Sequence, residues 1–389
     1  MPRIKLHVAQ WGYKEILLSL RLFITGRSIL GNYQGKLSHF LSKAYDLNHA
    51  TFLNSARAGI YFSLLAMKEK KIDANEVIIP QYICQSVIDI IESAGLKVVK
   101  AKVGEDLLLD ISSVEASICK QTLAVLMVHM YGKIADIDTL SSLCKKRSVF
   151  LIDDAAQTAG EYHEGKTLGT FGDSGVISFS QSKTITTGVK ASGGILLCNN
   201  KNLQPRLTQL TSNLEHSVSR LPAFVHFVMY FLLQGVWRKL DYYISRISTK
   251  LKNKRKDYYS PITNISNLDA AIALLQYKKL TENKKNIINS LVYYKKLIGE
   301  FKSISAPQLC LENSFLTRLV LRSHVISPDN LATYLNQRGI ITRFAYQSGS
   351  KPYNGSPDSG LLEIPLVGVS IDEINFIAST IVEAEKELA

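Results

Sequence analysis

With 389 residues, 46% hydrophobic and 20% charged, the chain has an ordinary globular composition and length for two or three domains, or one large domain with an appendage. Its five cysteines, Cys84, Cys119, Cys144, Cys198 and Cys310, stand singly with no CxxC pair and no ligand-like histidine spacing, so neither a disulfide framework nor a structural metal site is supported, and a reducing cytoplasm fits. A formal net charge of +13 favours anionic ligands or surfaces and by itself selects none of them.

The N-terminal residues mix basic and aromatic side chains with apolar ones and lack the uninterrupted apolar core and cleavage site of a secretion signal; residues 1–30 read as an N-terminal arm. From about 50 to 200, short β-branched runs at Val77–Pro80, Lys97–Ala101, Leu123–His129, Val149–Asp153, Gly175–Ser180 and Gly194–Cys198 alternate with amphipathic segments such as Ala56–Lys68, Ser86–Ala94 and Ile137–Lys145. Strand and helix in repeated alternation imply an α/β domain with a mostly parallel sheet covered by helices. Ligands of such sheets collect at the carboxyl ends of the strands. The places to look for chemistry are therefore Asn54–Arg57, Pro80–Cys84, His129–Gly132, Asp153–Gln157 and Ser178–Lys183.

Residues 204–260 read as an insertion in a large domain spanning 31–260. Its stretch Leu221–Tyr243 is aromatic and apolar, and Arg238, Lys239, Arg246, Lys250, Lys252, Lys254, Arg255 and Lys256 follow with Asp241 as the one acid among them. The apolar part is shorter than the roughly 20 residues of a spanning helix. It suits either packed helices or an in-plane segment, 221–256, making peripheral contact with the inner face of an anionic membrane. Residues 261–389 read as a helical run Leu268–Leu280, a long charged helix to about Phe301, and a small α+β domain with strands at Thr317–Arg322 and Ile340–Phe344, a helix opened by Ser327-Pro328-Asp329, and a final helix from Asp372.

The chemistry-bearing run is Leu151-Ile152-Asp153-Asp154-Ala155-Ala156-Gln157, followed by Gly172-Asp173, Ser178-Phe179 and Lys183. A carboxylate ending one buried strand and a lysine soon after another would share one sheet edge. Pyridoxal phosphate (PLP) chemistry needs that pair: an amine for the Schiff base, and an anion that keeps the pyridine nitrogen protonated. Singly, the aspartate is equally a helix cap and the lysine a solvated surface group.

Taken together, DDAAQ and GTFGDSGVISFSQSK with TTG following, Asn54-Ser55-Ala56-Arg57-Ala58, Pro80-Gln81-Tyr82, Val128-His129-Met130-Tyr131-Gly132 with Ala135-Asp136, Ala270-Ala271-Ile272 with Gln276, and Ile364-Pro365 resemble the DegT/StrS family of fold-type I PLP aminotransferases, most of which act on nucleotide-linked keto-sugars. The resemblance implies a large domain with a mostly parallel, seven-stranded-type sheet, a small C-terminal α+β domain and a homodimer. It makes Lys183 the cofactor-holding lysine and proton carrier, and pairs Asp154 with the pyridine nitrogen. It puts Gln157 near the phenolic oxygen and Ser178, with the backbone of Ala56 and Arg57 at a helix start, on the phosphate. Either Tyr82 is the ring-stacking aromatic or the ring face is covered by something smaller.

The chain departs from the family pattern at several points. Ala56-Arg57 replaces the usual Gly-Thr, and Cys84 stands where an aromatic is common. Gly188-Val189-Lys190-Ala191-Ser192-Gly193-Gly194 replaces a Gly-Glu-Gly-Gly run, so the acid is lost, and the asparagine that reaches the neighbouring subunit is out of register, with Asn264 nearby. His129 reads as a hydrogen-bonded structural residue rather than a base, and Asp153 as a second acid orienting a loop.

The implied activity is amino transfer from an amino acid, glutamate by family habit, to the ketone of a nucleotide-linked sugar in surface-polysaccharide synthesis. A lysine at 183 disfavours the family's dehydratase branch, in which histidine replaces it. Two alternatives are an acceptor that is lipid-like or carrier-linked, docked through 204–260, and an inactive paralogue serving as a binding subunit. No nucleic-acid partner is expected.

Overall fold

The computed structural model describes residues 4–188, 192–215, 228, 232, 261–299, 301–306, 317–344 and 361–388. Apart from residues 228 and 232, the apolar and basic stretch 221–256 lies outside the described residues, as do Val189-Lys190-Ala191 of the loop after Lys183 and Cys310. The other four cysteines are free thiols. The described residues form two compact units, one of 12–215 with 261–280 and one of 4–11 with 281–388.

The larger unit runs α1 (Tyr13–Ile24), α2 (Arg27–Leu30), α3 (Tyr33–Tyr45), β1 (Ala50–Leu53), α4 (Ala56–Lys70), β2 (Glu76–Pro80), α5 (Gln85–Ser93), β3 (Lys97–Ala101), α6 (Ile111–Ser117), β4 (Thr122–Val128), α7 (Ile137–Lys146), β5 (Phe150–Asp154), the small hairpin β6 (Tyr162–His163) and β7 (Lys166–Thr167), β8 (Ser174–Ser178), β9 (Gly194–Cys198), α8 (Gln204–Thr211) and α9 (Asn267–Lys278). Seven strands make one sheet in the order β1-β9-β8-β5-β4-β2-β3. From β8 through β3 the neighbours are parallel, whereas β9 is antiparallel to both β8 and β1. The expected mostly parallel sheet is present, and β1, a four-residue strand that the sequence pattern did not single out, completes it.

Burial explains the order. β4, Thr-Leu-Ala-Val-Leu-Met-Val, is buried at every position and sits in the middle of the sheet, as an unbroken apolar run requires. β3, Lys-Val-Val-Lys-Ala, with exposed lysines at 97 and 100, is the edge. Side chains set the helix starts: Ser55, Asp110, Asp136 and Ser266 accept from backbone N–H groups in the first turns of α4, α6, α7 and α9. α1 is anchored by Glu15, whose fully buried carboxylate accepts from Gln276 Nε2 (2.7 Å), Lys279 Nζ (2.9 Å) and the Gly12 N–H (2.7 Å).

The smaller unit contains α10 (Leu280–Ile298, from residue 281 on), β10 (Ile304–Ser305), β11 (Leu319–Ser323), α11 (Pro328–Gln337), β12 (Arg343–Phe344), β13 (Leu361–Ile364) and α12 (Ile371–Leu388). Its antiparallel sheet has the order β10-β11-β13-β12. The expected strand Ile340–Phe344 shortens to two residues. Asn336 takes the Thr342 N–H and donates to the Thr342 hydroxyl, turning the chain there, and Ile340 bridges Ile4 instead. On β13, buried Glu363 receives Arg343 Nη2 at 2.7 Å and Nε at 2.8 Å, with Arg318 Nη1 at 3.3 Å.

His7 is buried in this unit, and neither ring nitrogen has a hydrogen-bond partner among the described residues. Burial first, then the Arg318 and Arg343 charges, push its pKa down to about 3. The unfolded chain takes up a proton near pH 6.5 and the folded unit does not. Stability is therefore lost as pH falls from about 6.5 toward 3, by up to roughly 1.4 kcal/mol per pH unit. His7→Leu is expected to flatten this limb, which urea unfolding at pH 7 and pH 5 measures; an unchanged pH dependence would assign it to other groups.

Candidate active site

Strand register assembles the site. Val128 at the end of β4 lies opposite Asp154 at the end of β5, and Asp154 lies opposite Val176 of β8. Ser178 at the end of β8 and Leu53 at the end of β1 both lie opposite Gly194, the first residue of β9. The carboxyl ends of β1, β4, β5 and β8 and the start of β9 therefore share one edge, where open α/β sheets hold ligands. Asp154, Ser178, the start of α4 and the Lys183 loop all lie along it.

Gly194 is what lets α4 begin there. A Cβ at that position would fall on the Ala56 amide nitrogen and the Ser55 carbonyl carbon, so the helix could not start beside Ser178's strand partner with any other residue. Ser55 caps the helix by accepting from the Ala58 N–H at 3.3 Å. Ala56 and Arg57 contribute the first-turn N–H groups that α-helical hydrogen bonding leaves without an intrahelical partner. The Ser178 hydroxyl is bonded to the Ser180 hydroxyl at 3.0 Å.

Lys183 is half-buried on the loop that follows β8. The residue before it, Ser182, has φ 65°, and Tyr131 across the edge has φ 57°, both in the left-handed region that costs a non-glycine residue roughly 1–2 kcal/mol. Strain of this kind concentrates at functional sites. Asp154 is buried, and its Oδ1 accepts from the Ala156 N–H at 2.9 Å. Burial pushes its carboxyl above the usual carboxylate range. The Lys183 ammonium is the largest opposing influence, ahead of the Ala156 N–H and His129, while Asp153 adds to the rise. The Lys183 charge thus acts on the buried Asp154 carboxyl.

Gln157 is buried behind Asp154, with its Nε2 on Met130 Sδ at 3.5 Å and its backbone carbonyl accepting from the Thr184 hydroxyl at 2.9 Å. That last bond ties the Asp154 strand end to the residue after Lys183. Tyr82, past the end of β2, is buried with its hydroxyl on that of Tyr131 at 2.8 Å and the two rings edge to face at 6.2 Å. Cys84 is the residue before α5, its sulfur 3.1 Å from the Ser86 hydroxyl.

His129 and Asp153 are occupied elsewhere. His129 Nδ1 accepts from the Ala135 N–H at 3.0 Å, so Nε2 carries the proton and donates to Asp153 Oδ1 at 2.9 Å; both side chains are fully buried. The other Asp153 oxygen accepts from the N–H groups of Gly169 (2.7 Å) and Phe171 (3.0 Å). Asp153 therefore fixes the 169–171 loop, and His129 fixes the turn into α7. The Asn264 side chain donates to the Leu214 carbonyl at 3.1 Å.

Sequence reasoning gave Asp269 no role, although Ser266-x-x-Asp269 is a helix-start pattern. Ser266 Oγ accepts from the Asp269 N–H at 3.0 Å and donates to its Oδ2 at 2.5 Å, and the Thr187 hydroxyl also bonds the carboxyl. Thr187 in turn donates to the Ser192 carbonyl at 2.5 Å, so this carboxyl is linked to the loop after Lys183. Burial pushes its pKa up to about 7. The folded chain keeps a proton that the unfolded chain releases near pH 4, so cofactor-free protein is expected to lose stability as pH rises from about 4 through 7, on the order of 1–2 kcal/mol over the upper half of that window. Asp269→Asn should remove the slope in a melting series; a slope that persists would place its origin elsewhere.

The residues fit PLP on two grounds. The net effect on Asp154 is a carboxylate whose negative charge the folded chain under-compensates, which a pyridinium N–H would balance. At the same edge, the α4 start, kept open by Gly194, lies by a serine strand end, a combination suited to a phosphate.

The DegT/DnrJ/EryC1/StrS aminotransferase family model matches residues 15–358. The GDP-perosamine synthase of Vibrio cholerae is 32% identical over 329 residues, covering 83% of this chain and 79% of that protein. The GDP-perosamine synthase of Escherichia coli O157:H7 is 32% identical over 177 residues, 45% of this chain and about half, 47%, of that protein's length. Among solved structures, Helicobacter pylori PseC, an aminotransferase involved in the biosynthesis of pseudoaminic acid, superposes with a TM-score of 0.78 at 17% identity, over 99% of this chain and 100% of that one.

Proposed function

Because this chain belongs to the DegT/DnrJ/EryC1/StrS aminotransferase family, we propose that it transfers the amino group of an amino acid, glutamate in the first instance, to the ketone of a nucleotide-linked sugar, with PLP as cofactor. The observation that carries the reading is the meeting of Asp154 and Lys183 at the carboxyl edge of the sheet, where the charge of the lysine acts on the buried aspartate. The nucleotide-sugar part rests on the perosamine synthase relatives and on the chain's +13 charge, which suits a diphosphate-bearing acceptor.

PLP, when bound, supplies an electron sink that stabilises negative charge at the carbon bearing the amino group. Lys183 would hold the cofactor through Nζ, and the same nitrogen, when free, would be the group that moves the proton. Asp154, as a carboxylate, would pair with the cofactor's ring nitrogen and favour its protonated form. Ser178 Oγ and the N–H groups of Ala56 and Arg57 would hold the phosphate, and Gln157, whose carbonyl takes the Thr184 hydroxyl, would bond the phenolic oxygen. Tyr82, braced by Tyr131, borders the ring.

A homodimer is part of the proposal, on family grounds, as are a cytoplasmic location and peripheral contact through 221–256. No described helix is long and apolar enough to cross a membrane. The test is to load the purified chain with PLP, add L-glutamate, and then add GDP- and dTDP-linked 4-keto-6-deoxy sugars. Formation of 2-oxoglutarate and of a sugar with an amino group in place of the ketone oxygen is the expected result. Glutamate turnover with no amination of any nucleotide-linked ketone would sink the acceptor assignment and leave the lipid-like acceptor standing.

A further inference from the structure

α1 has two opposite faces. One, carrying Glu15, Ser19 and Leu22, is buried, with Glu15 held by Gln276 of α9 and by Lys279. The other carries Tyr13, Leu17, Leu20 and Ile24, spaced four, three and four apart, so they line one stripe of a 3.6-residue helix. Their exposures are 70%, 58%, 41% and 72%, and Leu30 of α2 is 82% exposed beyond them. Scattered exposed apolar residues need no explanation, but a stripe of four along about 18 Å of helix does.

The charges beside the stripe narrow what covers it. Lys14 and Arg21, seven residues apart, flank it on one side, and Arg27 follows at the start of α2; all three are exposed. The one acid between residues 12 and 30 is Glu15, which is buried and paired on the opposite face. A second copy docked face to face would set the same cations against each other with no exposed acid from 12–30 to separate them, as a two-fold interface repeats each residue. An anionic lipid surface takes both parts at once, with the apolar side chains at the acyl boundary and the cations among the headgroups.

We propose that the α1–α2 face docks in the plane of an anionic phospholipid bilayer. The contact is interfacial, since none of the described helices can span. The α1–α2 face includes none of the residues placed at the catalytic edge and none of residues 221–256. It would hold the enzyme at the surface on which lipid-carried glycans are built, whichever nucleotide sugar it aminates.

The test is flotation of the PLP-loaded full chain with vesicles of phosphatidylglycerol and phosphatidylcholine in equal parts, and with phosphatidylcholine alone. Binding to the anionic vesicles, weakened by salt, is expected. Leu17→Ser with Ile24→Ser, and separately Lys14→Gln with Arg21→Gln, should each lower the bound fraction by on the order of tenfold, with cofactor absorbance and melting temperature unchanged because all four side chains are exposed. A wild type that stays with the soluble fraction overturns the proposal. So does equal binding by the Leu17/Ile24 pair, which would assign the contact to another surface. Conversion of a dimer to a monomer by that pair, read by sedimentation, would make the stripe an interface between copies and overturn it as well.

Discussion

Lys183→Ala is expected to abolish the visible absorption band that PLP gives with the wild type and to lower amino transfer by at least about 10³-fold, since in the proposed mechanism one side chain would both hold the cofactor and relay the proton. Lys183 is half-buried on a loop rather than in a strand of the core, so the fold should persist. Its charge is the main influence holding Asp154 down, and removing it should drive the Asp154 pKa further up. Lys183→Arg separates the two effects. Arginine restores the cation beside Asp154 but stays protonated and does not condense with an aldehyde. That variant should therefore recover the Asp154 titration and none of the activity. If Lys183→Ala keeps the band before and after glutamate, the cofactor is held by another amine.

Asp154→Asn should lower kcat by on the order of 10²–10³-fold, the scale of removing one pre-placed charge from an active site. Its effect on the cofactor-free protein runs the other way. Burial holds this carboxyl above the usual range, so the folded chain binds a proton that the unfolded chain has lost, and stability falls as pH rises through the raised pKa. At neutral pH the neutral asparagine is expected to melt higher than the wild type without cofactor, and the wild type should recover more on adding PLP. Thermal melts of both proteins, with and without PLP, measure the crossover. A cofactor-free variant that melts lower than the wild type would mean that the carboxylate is compensated within the chain and that the cofactor-pairing role is misassigned.

The large unit was legible because its signals are local. β3 and β9 occupy the runs read from sequence, and β2, β4, β5 and β8 are shifted by one or two residues at their ends. Apart from β3 at the edge, the strand runs are mainly apolar, and the helices between them are opened by polar caps such as Asp136 and Ser55. β1 and β13 were not legible, being four residues each and set by partners far along the chain, Gly194–Leu197 for β1 and Leu319–Arg322 for β13. Glu363 shows the limit sharply. A lone glutamate in Leu-Leu-Glu-Ile reads as a break, and only the converging Arg318 and Arg343, distant in sequence, make it a buried centre. In the candidate site, motif order placed Asp154 and Lys183 at one sheet edge, and the structural reading of His129 agrees with its hydrogen bonds to Asp153 and Ala135. Asp269 was not readable, because its link to the Lys183 loop runs through the Thr187 hydroxyl and no spacing rule encodes it.

The reversed direction of β9 has a consequence for the lysine. A parallel β9 would require the chain after Ser178 to cross to the far edge of the sheet before re-entering. Running antiparallel, β9 starts where β8 stops, and the segment 179–193 leaves and returns at the same edge. Its two ends are stitched together: the Phe179 N–H donates to the Gly193 carbonyl at 3.0 Å, and the Thr187 N–H to the Phe179 carbonyl at 2.9 Å. Lys183 therefore sits on a short closed leash. On the proposed reading, a substrate amine that displaced Lys183 would leave its nitrogen tethered at that edge, at an effective concentration far above that of any amine in solution.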